Sequence, residues 1–230
     1  IIEKHGRDFM RYYFAKFSKG EDFSFNEKEM IEIQKFMIVL NNINSFVEQL
    51  QDVKSELKIE DKWIISKYNS LLKNAKKSYE EYKFFNVIYE IENFVVMDLS
   101  RKYIQMIRER ADETKKILNE VRIGLIKLLA PIIPFYSEMI WQELRKQKVV
   151  NEESIFLSDW PNYEEKMINL DLEKNFDEML KIIEKGMAAR DAAKIGLKWP
   201  LASAQVIMPN PLSKEFSELL KKQLRDMFKD

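Results

Sequence analysis

Apolar residues recur along this sequence at helical spacing, the pattern of helices that each turn one face to a core. Arg7 to Phe17 reads as a short amphipathic helix closed by the turn at Lys19-Gly20. The next start is richly signalled. Asn26 is placed to cap, Glu29 to reach back to the cap N–H, and Phe25 to staple onto Met30. Ile33, Met37, Leu40, Ile43 and Val47 then form one stripe down a long second helix. A third helix follows Asp61, with Ile64, Tyr68, Leu71, Leu72, Ala75 and Tyr79 on one face. A fourth carries Phe84, Ile88, Ile91, Val95, Leu99 and Met106, and a fifth, opening at Asp112, carries Ile117, Val121, Leu125 and Leu128. Pro131 and Pro134 interrupt the pattern, because proline is tolerated only in the first turn of a helix. Pro134 therefore opens a sixth helix to about Lys146, and a seventh runs from about Leu170 to Lys194 with Gly196 as its left-handed stop.

Elsewhere the period fails. Ser154 to Tyr163 is irregular and aromatic, and contains Trp160-Pro161. Leu201 to Met208 holds a short β-prone stretch, Gln205-Val206-Ile207, ended by Pro209 and Pro211. Ser213 then caps a last amphipathic helix with Phe216, Leu219 and Leu220. The pattern predicts an all-α protein: a helical bundle of about seven helices with a short β-containing C-terminal tail. The expected division is a helical domain over 1–203 and the start of a further module, cut short, over 204–230.

Composition sharpens this mainly by exclusion. Five glycines and six prolines in 230 residues are too few for the turns of a sandwich, a barrel or a doubly wound sheet. With no cysteine there is no thiol nucleophile or thiolate metal site, and with His5 as the one histidine there is no two-histidine zinc pair. No two glycines lie close enough for a phosphate-cradling loop. The carboxylates are scattered over helical faces and balanced by lysines. No catalytic residue, metal site or bound cofactor is therefore expected within the chain. No apolar run approaches the ~20 residues of a membrane span, and the opening residues do not resemble a secretory signal. The expectation is a soluble, cytoplasmic protein without a membrane partner. The 38 basic and 38 acidic side chains cancel, so any affinity for nucleic acid must come from local patterning.

The fourth helix carries that patterning. Asp98 and Lys102 fall within its apolar stripe, four apart, where charges are costly unless they pair. A register-fixing ion pair and a polar groove for a ligand are both open readings. On the opposite face Arg101, Gln105 and Arg108 follow one another, while Tyr103 and Arg110 share a third face seven apart. Planar guanidiniums beside an aromatic ring suit phosphate contact and base stacking, although a plain solvated face has the same spacing. Leu128 to Phe135, followed by Glu138, Ile140, Trp141 and Leu144, reads as a packed helix–turn–helix hinge. Trp141 and Trp160 read as core anchors. Lys198-Trp199-Pro200-Leu201 follows a helix stop, and is either a surface connection or a contact site.

Several of these segments resemble a known family. Leu129 to Leu144 is similar to the L-A-P-x-x-P-F-x-x-E-x-I-W-x-x-L signature of the helical anticodon-binding domain in class I aminoacyl-tRNA synthetases of the isoleucine, valine and leucine group. Glu3 to Arg11 looks like the E-K-Y-G-A-D-A-L-R segment of these enzymes, with His5, Arg7 and Phe9 as departures, and Gly20 to Phe25 is similar to the element that follows it. Asp98 to Tyr103, with Arg108 and Arg110 behind it, resembles D-L-S-x-W-Y…R-x-R of isoleucyl enzymes, Lys102 standing where an aromatic is usual. Arg190, Lys194 and Leu197 to Leu201 look like the closing R…K-I-x-L-R-W-P-L of the archaeal and eukaryotic isoleucyl type.

The resemblance implies that the chain is a tRNA-binding fragment that docks the anticodon stem and loop, with isoleucine tRNA as its partner. The parent would be an isoleucine–tRNA ligase that uses ATP and magnesium in a catalytic domain elsewhere in the same polypeptide, so the fragment alone would not aminoacylate. The residues implied in RNA binding are Arg101, Lys102, Tyr103, Arg108 and Arg110, with Arg190, Lys198 and Trp199 on the loop side. Two alternatives stand: the equivalent domain of a valyl or leucyl enzyme, and a helical protein-interaction scaffold with no RNA role, which the zero net charge favours.

Overall fold

Each predicted stripe becomes a buried helix face, except that Phe84 at the head of the fourth is exposed, in the computed structural model, which describes residues 3, 6–17, 19, 24–196, 199 and 216–221. The main helices are α1 (Arg7–Phe17), α2 (Glu27–Gln49), α3 (Ile59–Glu80), α4 (Phe84–Asn93), α5 (Lys115–Leu129), α6 (Pro134–Lys146) and α7 (Leu170–Ala192). No described residue lies in a β-strand. The β-prone stretch at 201–208 and the boundary expected at 203/204 fall outside the described residues. The last helix is present at 216–221, and Phe216, Leu219 and Leu220 are buried in the main core with the other helices. Phe216 meets Phe176 of α7 edge-on at 5.1 Å, and Phe176 stacks on Trp63 of α3 at 4.8 Å. A chain of rings thus ties the C-terminal turn to the centre of the bundle.

The fourth helix departs from its simple reading. Beyond α4 the backbone continues through a π-helical segment, Phe94–Tyr103, and a last α turn, Ile104–Met106. The N–H of Ile104 bonds to the carbonyl of Leu99, five residues back instead of four. A 3-10 segment, Arg108–Thr114, then bends at Arg110 (φ −133°, ψ 29°) and delivers the chain to α5. The fifth helix accordingly opens at Lys115 and not at Asp112. The Asp112 carboxylate instead accepts from the backbone N–H of Gln51 at 2.8 Å.

Helix starts form where expected but borrow partners from a distance. The Asn26 side chain caps α2 by accepting from Lys28 N–H at 3.0 Å. Glu29 does not reach back. The Tyr13 hydroxyl of α1 accepts from Asn26 N–H at 2.9 Å and donates to Glu29 at 2.8 Å, completing the box from another helix. Phe25 lies against the Tyr13 ring, 4.9 Å between centroids. The N-terminus of α6 is likewise served by α1: Asp8 accepts from Tyr136 N–H at 2.7 Å. Arg11 of α1 donates to the carbonyls of Pro131 (2.8 Å) and Ile132 (2.9 Å) in the hinge. A second cluster around Trp141, Leu144 and Ile155 backs the hinge. At the end of α7 the left-handed residue is Lys194 (φ 56°), not Gly196.

One close approach sets how near α3 and α5 lie. A Cβ on Gly124 of α5 would sit 1.7 Å from the Tyr68 hydroxyl oxygen of α3, so only glycine admits that ring.

Candidate nucleic-acid interface

The exposed face runs along the π-helical segment and the turn after it. Arg101, Gln105 and Arg108 are all exposed there. The Arg101 side chain reaches only the Met97 sulfur, at 3.5 Å, and the Arg108 guanidinium makes no hydrogen bond or ion pair with any described residue. Both guanidiniums keep their donors available for a phosphate or a base edge.

Tyr103 and Arg110 do share a face, as their spacing suggested, but it is turned inward. Tyr103 is fully buried and Arg110 is 8% exposed. Both converge on Asp61 in the first turn of α3. Tyr103 donates to Asp61 Oδ1 at 2.8 Å; Arg110 donates to Asp61 Oδ1 and Oδ2 at 2.8 and 3.1 Å, and to Glu60 Oε1 at 2.6 Å. Asp61 also accepts from Lys58 N–H at 2.8 Å, so a single carboxylate caps α3 and fixes the bend after the fourth helix. Burial pulls Arg110 toward its neutral form, but Asp61 and Glu60 outweigh that and hold the guanidinium more firmly protonated than usual. Burial, and then the Asp61 carboxylate, push the Tyr103 hydroxyl far above its ordinary pKa. In this geometry the Tyr103 ring is closed off by the core, and the Arg110 guanidinium fork is already filled by carboxylates.

Asp98 and Lys102 form the ion pair their spacing allowed, at 3.1 Å. Asp98 is buried and takes a second cation, Lys67 of α3, at 3.3 Å. The Lys102 ammonium also lies 6.0 Å from the centre of the Trp63 ring. Lys102 is thus committed to holding the segment onto α3, with a quarter of its side chain left to solvent.

At the loop side, Arg190 is 4% exposed and Trp199 is 71% exposed. Arg190 Nη2 donates to the backbone carbonyls of Gly196 and Trp199, at 2.5 and 2.7 Å. Arg190 is thus turned inward, toward two backbone carbonyls. Lys198 lies outside the described residues.

Sequence reasoning missed Glu60, Asp61 and Lys67. Asp61 was noted only as a helix start, and nothing in local spacing links it to residues 42 and 49 positions away. Among the described residues no group of three or more histidines, aspartates or glutamates could hold a metal ion, and no helix is long and apolar enough to cross a membrane.

Residues 61–207 match the family model of the anticodon-binding domain of tRNA ligase, and the chain is a member of that family. It is 31% identical to the isoleucine–tRNA ligase of Pyrococcus abyssi over 98% of its own length, and 33% identical to that of Saccharolobus solfataricus over 91%. In both cases the chain spans 23% of the relative. Its fold is similar to part of the LeuRS in the LeuRS–tRNA–LeuAMS ternary complex of Agrobacterium radiobacter K84, with a TM-score of 0.54 and 16% identity over 73% of this chain and 21% of that one.

Proposed function

We propose that this chain is the part of a cytoplasmic isoleucine–tRNA ligase that docks the anticodon stem and loop of isoleucine tRNA. The observation that carries the reading is the exposed Arg101–Gln105–Arg108 face on a domain whose family binds anticodons. Phosphate contacts from such a face give affinity and orientation, while splayed loop bases are read by stacking and edge hydrogen bonds. Identity to archaeal isoleucine–tRNA ligases across nearly the whole chain supports the choice of amino acid. Attachment of isoleucine, with ATP and magnesium, belongs to the rest of the longer enzyme. The chain by itself binds tRNA without charging it.

The test is a filter-binding titration with an isoleucine tRNA transcript against an unrelated RNA of equal length, repeated over a range of salt. Replacing Arg101 and Arg108 together by alanine weakens tRNA binding by about 1–3 kcal/mol and flattens the salt dependence, because phosphate contacts release counterions. Unchanged affinity and slope would remove the face from the interface. Equal binding of valine and leucine tRNAs would move the assignment to a related enzyme, and no RNA binding would leave a protein-interaction scaffold.

A further inference from the structure

The four tryptophans are not equivalent. Trp63 and Trp141 are buried to within 1%, and Trp160 packs edge-on against Tyr79 at 5.1 Å. Trp199 alone is open to solvent. An indole that waves freely would be unremarkable, but this one stands on a fixed base. Its backbone N–H bonds to the Gly196 carbonyl at 3.0 Å, and its own carbonyl and that of Gly196 both accept from the buried Arg190. The side chain is also placed: a Cβ on Gly196 would lie 3.3 Å from Trp199 Cδ1 and 3.8 Å from Nε1. The five-membered ring therefore rests beside the bare glycine, and most of the side chain is left in water.

Locking the backbone while exposing the largest apolar side chain is wasteful for stability and useful for recognition, because ordering costs are met before the partner arrives. We propose that Trp199 is a preformed stacking platform for one unpaired base of a bound RNA loop, and that Arg190 is its positioning residue, acting through its bonds to the Gly196 and Trp199 carbonyls. Every base offers a π face, so the platform takes any splayed base and rejects a closed duplex. This rests on the tRNA-binding reading above and adds the subsite and the way it is held.

The experiment uses the 230-residue chain and two RNAs: a hairpin copying the isoleucine anticodon arm with its loop open, and the same stem as a blunt duplex. Acrylamide quenches the Trp199 emission, read as the difference between wild type and Trp199→Phe, and the hairpin quenches it in its place. Trp199→Ala weakens hairpin binding roughly 5- to 150-fold, the equivalent of ~1–3 kcal/mol for a base–aromatic stack. It leaves duplex binding unchanged, and Trp199→Phe retains most of the hairpin affinity. Arg190→Lys, which keeps the charge but not the two-point grip, lowers both the fluorescence polarisation of Trp199 and the hairpin affinity. Gly196→Ala, which crowds the indole without touching the core, has the same effect and serves if Arg190→Lys does not fold. Hairpin binding that is indifferent to Trp199→Ala, or an indole that acrylamide cannot reach, overturns the platform and leaves the tRNA-binding reading intact. Failure of both RNAs to bind removes the two together.

Discussion

A guanidinium is the same group at positions 101, 108, 110 and 190, and its neighbours decide its work. At 101 and 108 it faces water, at 110 it neutralises a carboxylate pair in the core, and at 190 it ties two carbonyls of a turn. Replacing Arg110 by methionine leaves Glu60 and Asp61 buried without their cation, which costs about 3–5 kcal/mol in urea unfolding. Adding Glu60→Gln and Asp61→Asn to that variant restores part of the loss, since the uncompensated charges are then gone. Spacing alone put Tyr103 and Arg110 on one face. It was silent on which way the face turned, because the deciding carboxylate sits on another helix.

At the scale of elements, the helices were legible because each carries an apolar stripe long enough to define a period. Their ends were less so. Glu29 fits a local capping box by sequence, yet the Tyr13 hydroxyl from α1 takes the position, and Asp112 accepts from Gln51 at the start of the α2–α3 connection instead of opening α5. The π-helical winding of Phe94–Tyr103 leaves no mark on hydropathy, so faces counted at the ordinary helical turn drift along it. Gly124 shows the same limit. On propensity, Gly124→Ala should strengthen α5 by up to ~1 kcal/mol. The new Cβ would overlap the Tyr68 hydroxyl, so overpacking wins and the variant is destabilised by a net ~1–3 kcal/mol. Thermal unfolding of Gly124→Ala, Tyr68→Phe and the pair checks this: the double variant recovers part of the loss, because the nearest clashing atom has been removed.

At the scale of the whole molecule, the described residues of the C-terminal helix, 216–221, share the core of the bundle. Phe216 is 3% exposed and completes the Trp63–Phe176 stack. Phe216→Ala should therefore cost about 3–5 kcal/mol, and calorimetry should show one transition moved to lower temperature, not the loss of a small separate one. The fold class was readable because periodicity survives any arrangement of helices. The arrangement itself was not, since it depends on contacts such as Arg11 with Pro131 and Lys67 with Asp98 that span long stretches of chain.

The joint between α1 and the hinge has a consequence for biogenesis. The ribosome delivers α1 first, and the amides and carbonyls that Asp8 and Arg11 need arrive 120 to 128 residues later. Until then Asp8 and Arg11 are served by water, and this joint closes only once the hinge has been made. A nascent chain stalled before Pro131 should accordingly leave the Asp8–Arg11 end of α1 more open to protease than one stalled well beyond α6, while the Tyr12–Lys16 end is already held by α2 and Glu92.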